Sequence, residues 1–289
     1  PSDSAGPFPA VVFVHGSSSS DMDERIGKLA PFKDLAEGLA KHGIASVRYN
    51  KRTYSHAAMM ARDFGDETTV REEVIDDAII ATALLRRDPR IDPDNIFIIG
   101  HSLGGMLAPR IDAEGGDFRG LVIMAGTPRR MEEVMIEQNE EAYANMGGLM
   151  KRMARNKIQE ANEVLLGLDR LSDEEAKTKK LGGSVTLYYF KEMGRHPASE
   201  YLLSSDKPVL IMQGGRDFQI KADKDFEAYK RLLRDRPNVS YRLYKALNHA
   251  FVPAIHDSIS DAKKEYAVER HIDDTVISDI AKWILAETE

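Results

Sequence analysis

The chain has 289 residues, of which 42% are hydrophobic and 30% charged, with a formal net charge of -7 and no cysteine. This length and composition are typical of one large α/β domain with room for an inserted subdomain. The negative charge provides no basic surface for nucleic acid or anionic lipid, so we expect neither as a partner. Without cysteine the chain forms no disulfide, no thiolate nucleophile and no cysteine-ligated zinc site.

The ends and the hydropathy of the chain bear on its location. No apolar run approaches the ~20 residues that a membrane-spanning helix needs, so we expect no membrane span. The sequence opens with Pro1-Ser2-Asp3 rather than methionine, which suggests that an upstream segment has been removed. A cytoplasmic location is favoured, while a mature secreted form and assembly into a homodimer are left open.

Apolar runs and helical periodicities alternate along most of the chain. Short runs rich in β-branched and aromatic residues predict buried strands, and apolar residues at helical spacing predict helices. The predicted strands are 9–14, 44–49, 95–99, 121–125, 208–213 and 239–244, and the predicted helices are 31–42, 69–87, one that starts near 105, 222–233 and 272–285. Strands that alternate with helices predict a doubly wound, mostly parallel sheet.

Residues 50–68 interrupt this alternation with a polar, irregular stretch. Its large apolar side chains are Met59, Met60 and Phe64. We predict that they anchor a surface loop, with a border to a pocket as the alternative.

Residues 127–205 form a second interruption, which is charged and helical. Glycine pairs at 147–148 and 182–183 are predicted breaks within it. The segment is too long for a plain crossover between two strands. We therefore predict an inserted helical cap, and an α/β core made of 1–126 and 206–289.

A G-x-S-x-G pattern, Gly100-His101-Ser102-Leu103-Gly104, directly follows the predicted strand 95–99 and precedes a predicted helix. A serine on a strained strand-to-helix turn exposes its hydroxyl, and the flanking glycines avoid collisions with neighbouring backbone. The amides at the start of the helix point at any oxyanion that forms beside Ser102. An ordinary turn serine is the alternative, and the flanking glycines argue against it.

Ligands of open parallel sheets bind at the carboxyl ends of the strands. Loops that follow predicted strands carry candidate chemistry at His15-Gly16-Ser17, Ser102, Asp217 and His249. A serine hydroxyl needs a base at neutral pH, and the base needs a carboxylate that holds its tautomer. The chain order Ser102, Asp217, His249 is that of α/β-hydrolases and differs from chymotrypsin and subtilisin. Asp206 and Asp257 are weaker candidates for the carboxylate.

At these residues the chain resembles the α/β-hydrolase family. The motifs HGSSSSDMDE, RYNKR, GHSLGGMLAPR, GGRDFQI and NHAF resemble those of bacterial serine carboxylesterases of the cinnamoyl-esterase and serine-aminopeptidase-like groups. The resemblance runs from Phe8 onward and is less specific across 127–205. Two features depart from it: Ser17 stands where HGGG-type lipases carry glycine, and the strands that usually precede the first one here are missing or reduced to residues 1–7.

The resemblance implies a role for each candidate residue. It implies that Ser102 is the nucleophile, His249 the general base and acid, and Asp217 the carboxylate that orients the histidine. It also implies that the backbone amides of Ser17 and Leu103 form the oxyanion hole.

The predicted substrate pocket comprises His15, Gly16, His101, Met131 and Met135. We expect His15 and His101 to contribute mainly by packing and hydrogen bonding beside the site. For the two methionines, ordinary packing is an equal alternative to lining an apolar pocket. The other histidines show no metal-ligand spacing, so we expect no metal and no other cofactor.

We therefore expect a serine hydrolase that cleaves small carboxylic esters through an acyl-enzyme on Ser102, with short to medium or aromatic acyl groups. A serine peptidase or amidase of the same fold is one alternative, because the same triad cleaves both bonds. A non-catalytic binding scaffold of this fold is the other, and the presence of all three triad residues argues against it.

Overall fold

The computed structural model describes residues 1, 6–181 and 185–288. Its strands are β1 (Phe8–Val14), β2 (Ala45–Val47), β3 (Ile91–His101), β4 (Leu121–Met124), β5 (Lys180–Leu181), β6 (Val185–Thr186), β7 (Val209–Gly214) and β8 (Val239–Tyr244). Six of them form one sheet in the order β2-β1-β3-β4-β7-β8, and every neighbouring pair in it is parallel. The short strands β5 and β6 form a separate antiparallel pair. The predicted parallel α/β sheet is confirmed.

The helices are α1 (Pro31–Lys41), α2 (Arg52–Ser55), α3 (Ala57–Asp63), α4 (Asp76–Arg87), α5 (Leu103–Ile111), α6 (Met131–Ala144), α7 (Gly148–Leu166), α8 (Asp173–Thr178), α9 (Leu187–Gly194), α10 (Ala198–Ser204), α11 (Glu227–Leu232), α12 (Ala262–Glu265) and α13 (Asp274–Glu287). A π-helical turn, Arg71–Ile75, leads into α4. None of the helices in the described ranges has both the length and the apolarity to cross a bilayer.

The sheet is covered on both faces, and β1 shows why. Val11 and Phe13 point to one face, where they join an apolar cluster with α1 and α13. Val12 and Val14 point to the other face, where they join a cluster that includes α4 and α5. All four side chains are fully buried. Because successive side chains of a strand alternate between faces, a strand that is apolar throughout needs helices on both sides.

Residues 50–68 are more regular than predicted. They contain the short helices α2 and α3, and the run Ala57-Ala58-Met59-Met60 consists of good helix formers. Met60 is buried, whereas Met59 is exposed. The neighbouring strand β2 is shorter than the predicted 44–49, because it lies at the edge of the sheet and pairs with β1 only from Ala45 to Val47.

The segment between β4 and β7 is mainly helical, as the sequence predicts, and contains α6 to α10. The predicted break at Gly148 falls at the start of α7, and the one at Gly182-Gly183 lies outside the described residues. Leu187 and Phe190 of α9 and Leu202 of α10 belong to the same apolar cluster as the sheet residues of β1 and β3. The second half of this segment therefore packs into the main core.

Candidate active site

Ser102 lies on a strained turn between β3 and α5. Its backbone has φ 54° and ψ -117°, a conformation that non-glycine residues rarely adopt. The amide of Ser102 donates to the carbonyl of Met124, 2.8 Å away, which ties the turn to β4. A Cβ atom on Gly104 would lie 2.1 Å from the carbonyl oxygen of Val14, and one on Gly100 would lie 2.2 Å from the carbonyl oxygen of Gly104. Only glycine lets the helix start this close to β1.

Asp217 and His249 form a buried pair at the carboxyl end of the sheet. Nδ1 of His249 lies 2.7 Å from Oδ2 of Asp217, and the two side chains are 4% and 0% exposed. Because a carboxylate only accepts hydrogen bonds, Nδ1 carries a proton, and the neutral form of the ring then has its lone pair on Nε2. This is the tautomer that a general base needs.

The surroundings of Asp217 keep its carboxylate in one orientation. Oδ1 accepts hydrogen bonds from the amides of Gln219 and Ile220 at 2.8 and 3.0 Å. Oδ2 accepts a further bond from Nε2 of Gln213 at 3.0 Å. Gln213 is the buried residue near the end of β7. The carboxylate thus has four donors, including His249.

The alternative carboxylates lie elsewhere. Asp257 pairs with Arg216, and Asp206 pairs with Arg236. Their side chains are 66% and 101% exposed, so solvent rather than a histidine surrounds them.

His101 connects the serine turn to the loop of His249. Its Nε2 donates to the carbonyl oxygen of His249 at 2.9 Å, and the two rings pack with centroids 4.7 Å apart. Its Nδ1 lies 3.0 Å from Oε2 of Glu24, which is also buried. Among the hydrogen bonds of the described residues, none joins Ser102 to His249 directly. The contact through His101 therefore brings the two segments together.

The two predicted oxyanion donors both belong to segments next to the serine. Leu103 is the first residue of α5, where the amide has no acceptor within the helix. Within the described chain, the Ser17 amide likewise donates to no acceptor. Gly16, the residue before Ser17, is so close that a Cβ atom on it would lie 3.2 Å from Cβ of Ser102. Neither amide is therefore occupied by an acceptor among the described residues, as an oxyanion donor requires.

A cavity of about 920 Å³ opens beside Ser102. Its lining includes Met131 and Met135, two of the residues predicted for the pocket, together with Met60, Val134, Phe190 and Met193. The other three predicted pocket residues, His15, Gly16 and His101, are not part of this lining. His15 lies behind the site, where it packs against Phe32 and Tyr49 and donates from Nε2 to the carbonyl of Asp21. Burial lowers its pKa, which favours the neutral ring.

Comparison with known proteins gives the chain a family. The model of the "Alpha/beta hydrolase family" matches residues 11–267. The chain belongs to the α/β-hydrolase family. The membership predicted from the motifs around Ser102, Asp217 and His249 is thereby confirmed.

This α/β-hydrolase is 37% identical to the esterase EstD of Thermotoga maritima over 284 residues, which cover 97% of the chain and 63% of EstD. The chain thus spans less than two thirds of the length of that relative. Two solved structures share the fold. An esterase of Pyrococcus furiosus aligns with a TM-score of 0.58 at 16% identity, over 99% of this chain and 84% of its own. Est1E of Butyrivibrio proteoclasticus, with ferulic acid bound, aligns with a TM-score of 0.60 at 15% identity, over 98% and 91%.

The site of this α/β-hydrolase also contains residues to which the sequence assigned no role. Gln213 holds Asp217, Glu24 faces His101, and Lys51 is fully buried beneath the loop of Ser17. Glu24 and Lys51 fall within the motifs HGSSSSDMDE and RYNKR. In a polar motif, however, a charged residue normally indicates solvated surface, and only the fold reveals that these two are buried. In the described part of the chain, no cluster of three or more potential ligands is arranged to hold a metal ion.

Proposed function

We propose that this α/β-hydrolase is a serine carboxylesterase with Ser102, His249 and Asp217 as its catalytic triad. The observation that carries the proposal is the strained turn of Ser102, which His101 connects to the loop of His249. In the same site, the buried Asp217 holds His249 with its proton on Nδ1, as a general base requires. The identity of 37% to EstD, which is named an esterase, supports it. A binding scaffold would need neither a strained serine nor a buried histidine that is held in orientation by a carboxylate.

In the proposed reaction, Oγ of Ser102 attacks the acyl carbon of the ester while Nε2 of His249 takes the hydroxyl proton. The amides of Ser17 and Leu103 stabilise the negative oxygen of the tetrahedral species. His249 then protonates the leaving alcohol, and an acyl-enzyme forms on Ser102. Water, activated by the same histidine, releases the acid. Loss of one oxyanion donor typically lowers the rate ~10²–10³-fold.

The cavity favours apolar acyl groups. A volume of about 920 Å³ suits a drug-sized ligand. Met131, Met135, Phe190 and Met193 offer an adaptable apolar wall, which fits short to medium or aromatic acyl chains. These features support small esters as the substrates.

The charges in the cavity wall favour an esterase over an aminopeptidase. Asp66 and Glu73 line the cavity, and each is paired with a lysine: Asp66 with Lys180, and Glu73 with Lys51. A carboxylate without another cationic partner would bind a free amino terminus most strongly. Among the described lining residues, Glu73 is bonded by Lys51 and Tyr189, and the charge of the exposed Asp66 is offset by Lys180, so neither acid lacks a cationic partner.

The helical segment provides much of this wall. We propose that 127–205 serves as the cap, with 1–126 and 206–289 as the catalytic core. Met131 and Met135 of α6 and Phe190 and Met193 of α9 would then set the acyl preference.

The test is hydrolysis of p-nitrophenyl esters from acetate to palmitate, run beside aminoacyl-p-nitroanilides, with a fluorophosphonate to label the nucleophile. Ester turnover with label on Ser102, both lost in Ser102→Ala, is the expected result. Ser204→Ala, which changes an exposed serine on α10, serves as the matched control. Cleavage of anilides alone would assign the protein to the peptidases. A protein that takes up no label and hydrolyses neither series would be a binding scaffold.

A further inference from the structure

Lys51 is a fully buried lysine that lies beneath the loop of Ser17, with 1% of its side chain exposed. Its Nζ donates to the carbonyl oxygens of Gly16 and Ser18, at 3.1 and 2.9 Å. The same ammonium pairs with Oε1 of Glu73. Burial of an ammonium group is strongly unfavourable unless it is paired and hydrogen-bonded, and all three donors of Lys51 are used.

The contact between Lys51 and Gly16 fixes the direction of the Ser17 amide. In a trans peptide, the carbonyl oxygen and the amide hydrogen of the next residue point in opposite directions. The peptide between Gly16 and Ser17 is trans, as peptide bonds that do not precede proline almost always are. Because the Gly16 oxygen points at Lys51, the Ser17 N–H points away from it. The bond to Ser18 fixes the Ser19 amide in the same way.

The peptide on the other side of Gly16 is held as well. The Gly16 amide donates to Oε1 of Glu24 at 2.5 Å. Gly16 lies directly against Ser102: a Cβ atom added to Gly16 would be 3.2 Å from Cβ of the serine. Glu24 and Lys51, both buried and charged, thus hold the amide and the carbonyl of Gly16, which contacts the nucleophile and directly precedes the predicted oxyanion donor Ser17.

The anchor of Lys51 continues to the wall of the cavity. Oε2 of Glu73 accepts a hydrogen bond of 2.6 Å from the hydroxyl of Tyr189, on α9. Burial, together with the negative charge of Glu73, raises the pKa of Tyr189 well above its usual value, so the hydroxyl stays protonated and donates. Tyr189 and Glu73 both line the cavity. A continuous chain of polar contacts therefore runs from Tyr189 through Glu73 and Lys51 to Gly16.

We propose that Lys51 is a positioning residue for the oxyanion hole, held in place by Glu73 and Tyr189. It touches neither the ester nor Ser102. It orients the Ser17 amide toward the oxygen that becomes negative, so its contribution is to the transition state rather than to the binding of the ester. This inference rests on the proposed function.

The test is the double variant Lys51→Met/Glu73→Gln. Both charges are removed together, so that no single charge is left in the interior without its partner. We would measure kcat and KM with the best p-nitrophenyl ester. We would also measure inhibition by phenylboronic acid, which forms a tetrahedral adduct on a serine, and by the product carboxylic acid, which resembles the ground state. Lys207→Met is the matched control, because Lys207 also pairs with two carboxylates but lies outside the site.

We expect kcat to fall roughly 10–10²-fold, short of the complete loss of a donor, because the Ser17 amide remains but is no longer held. The affinity for the boronic acid should fall by a similar factor, while KM and inhibition by the product acid change less than about 3-fold. A variant whose activity falls only in proportion to its folded fraction, or through KM alone, would overturn the inference.

Tyr189→Phe provides a second test should the double variant not fold. It removes only the hydroxyl that donates to Glu73, at the far end of the series of polar contacts from Gly16. We expect a roughly 3- to 10-fold lower kcat, with a matching loss of boronic acid affinity. Wild-type kcat and boronate affinity in Tyr189→Phe would overturn the inference. A wild-type protein that neither hydrolyses esters nor binds the boronic acid would instead contradict the proposed function, which separates the two failures.

Discussion

Glu24 and His101 face each other in the buried space behind the serine turn, with Oε2 of the carboxylate 3.0 Å from Nδ1 of the ring and 4% of each side chain exposed. Because Nε2 of His101 already donates to the carbonyl of His249, Nδ1 donates to Glu24 only when the ring is a cation. Burial by itself disfavours charge on both groups. The opposite charge of the partner outweighs it, so the pKa of His101 is raised and that of Glu24 is lowered. Below its raised pKa, His101 therefore forms an ion pair with Glu24 next to the proposed base.

This ion pair predicts a specific pH dependence of stability. In His101→Gln the pair is lost, and the free energy of unfolding should fall by about 3 kcal/mol where both groups are charged. The ordinary pKa values are 4.5 for Glu24 and 6.5 for His101. Because folding raises the pKa of His101, this residue stabilises the folded state fully below pH 6.5, and the contribution is lost as the pH rises through the raised pKa. Because folding lowers the pKa of Glu24, this residue stabilises the folded state above pH 4.5, and the contribution is lost as the pH falls through the lowered pKa.

The difference in unfolding free energy between wild type and His101→Gln should therefore be largest between pH 4.5 and 6.5 and decline on both sides. Urea denaturation from pH 4 to 9 measures it. His42→Gln, at an exposed histidine that follows α1, is the control and should show a small difference at every pH. A difference for His101→Gln that grows above pH 6.5 would contradict an ion pair.

The four donors around Asp217 make its replacement by asparagine a sharp test of the triad. An amide presents NH₂ on one side, and both sides of Asp217 face donors: two backbone amides at Oδ1, and Gln213 with His249 at Oδ2. Asparagine must therefore either clash with donors or turn His249 to the wrong tautomer. We expect kcat of Asp217→Asn to fall about 10³–10⁴-fold, with KM little changed, in steady-state ester hydrolysis.

Asp257→Asn is the control for that loss, because Asp257 is an exposed partner of Arg216. Its kcat should stay within about 2-fold of the wild type, since surface ion pairs contribute little. Equal losses in the two variants would show that Asp217 has no special role.

The approach of α5 to β1 predicts that Gly104 tolerates no side chain. In Gly104→Ala the added Cβ would meet the carbonyl oxygens of Val14 and His15 at 2.1 and 2.7 Å, and neither backbone atom can move without disturbing the sheet. We expect the free energy of unfolding to fall by roughly 3 kcal/mol or more, because overpacking against backbone is costly. Gly147→Ala, where a Cβ would meet nothing within 4 Å, should leave it nearly unchanged. Thermal unfolding followed by circular dichroism compares the two variants.

The sheet was predictable because its central strands contain continuous apolar runs, as β1 and residues 96–99 of β3 show, and strands of this kind must lie in the interior of a parallel sheet. The serine turn was predictable because the glycines around Ser102 have a steric cause that sequence spacing reveals. Sequence could not reveal the roles of Glu24 and Lys51. Their partners are distant in the chain, and nothing local distinguishes a buried charge from a solvated one. The same holds for the lining of the cavity, in which α3, α6 and α9 meet only through the tertiary fold.

The residues that line the cavity allow a prediction about which acyl groups the enzyme accepts. Met135 lies on α6, is half-buried and lines the cavity. In Met135→Trp a rigid indole replaces a flexible thioether chain and takes up space that a longer acyl chain would need. An acetyl group needs room only beside Ser102, so its hydrolysis should be nearly unaffected. Each methylene that loses its place in an apolar pocket lowers kcat/KM by roughly 10-fold or more.

We therefore expect kcat/KM for p-nitrophenyl octanoate to fall at least about 10-fold in Met135→Trp, while the value for acetate changes less than about 3-fold. Met150→Trp is the matched control, since Met150 lies on α7 with 62% of its surface exposed and is outside the cavity lining. Its chain-length profile should equal that of the wild type. An unchanged profile in Met135→Trp would mean that the acyl chain does not extend along α6, and the cavity beside this helix would then have to hold the alcohol part of the ester.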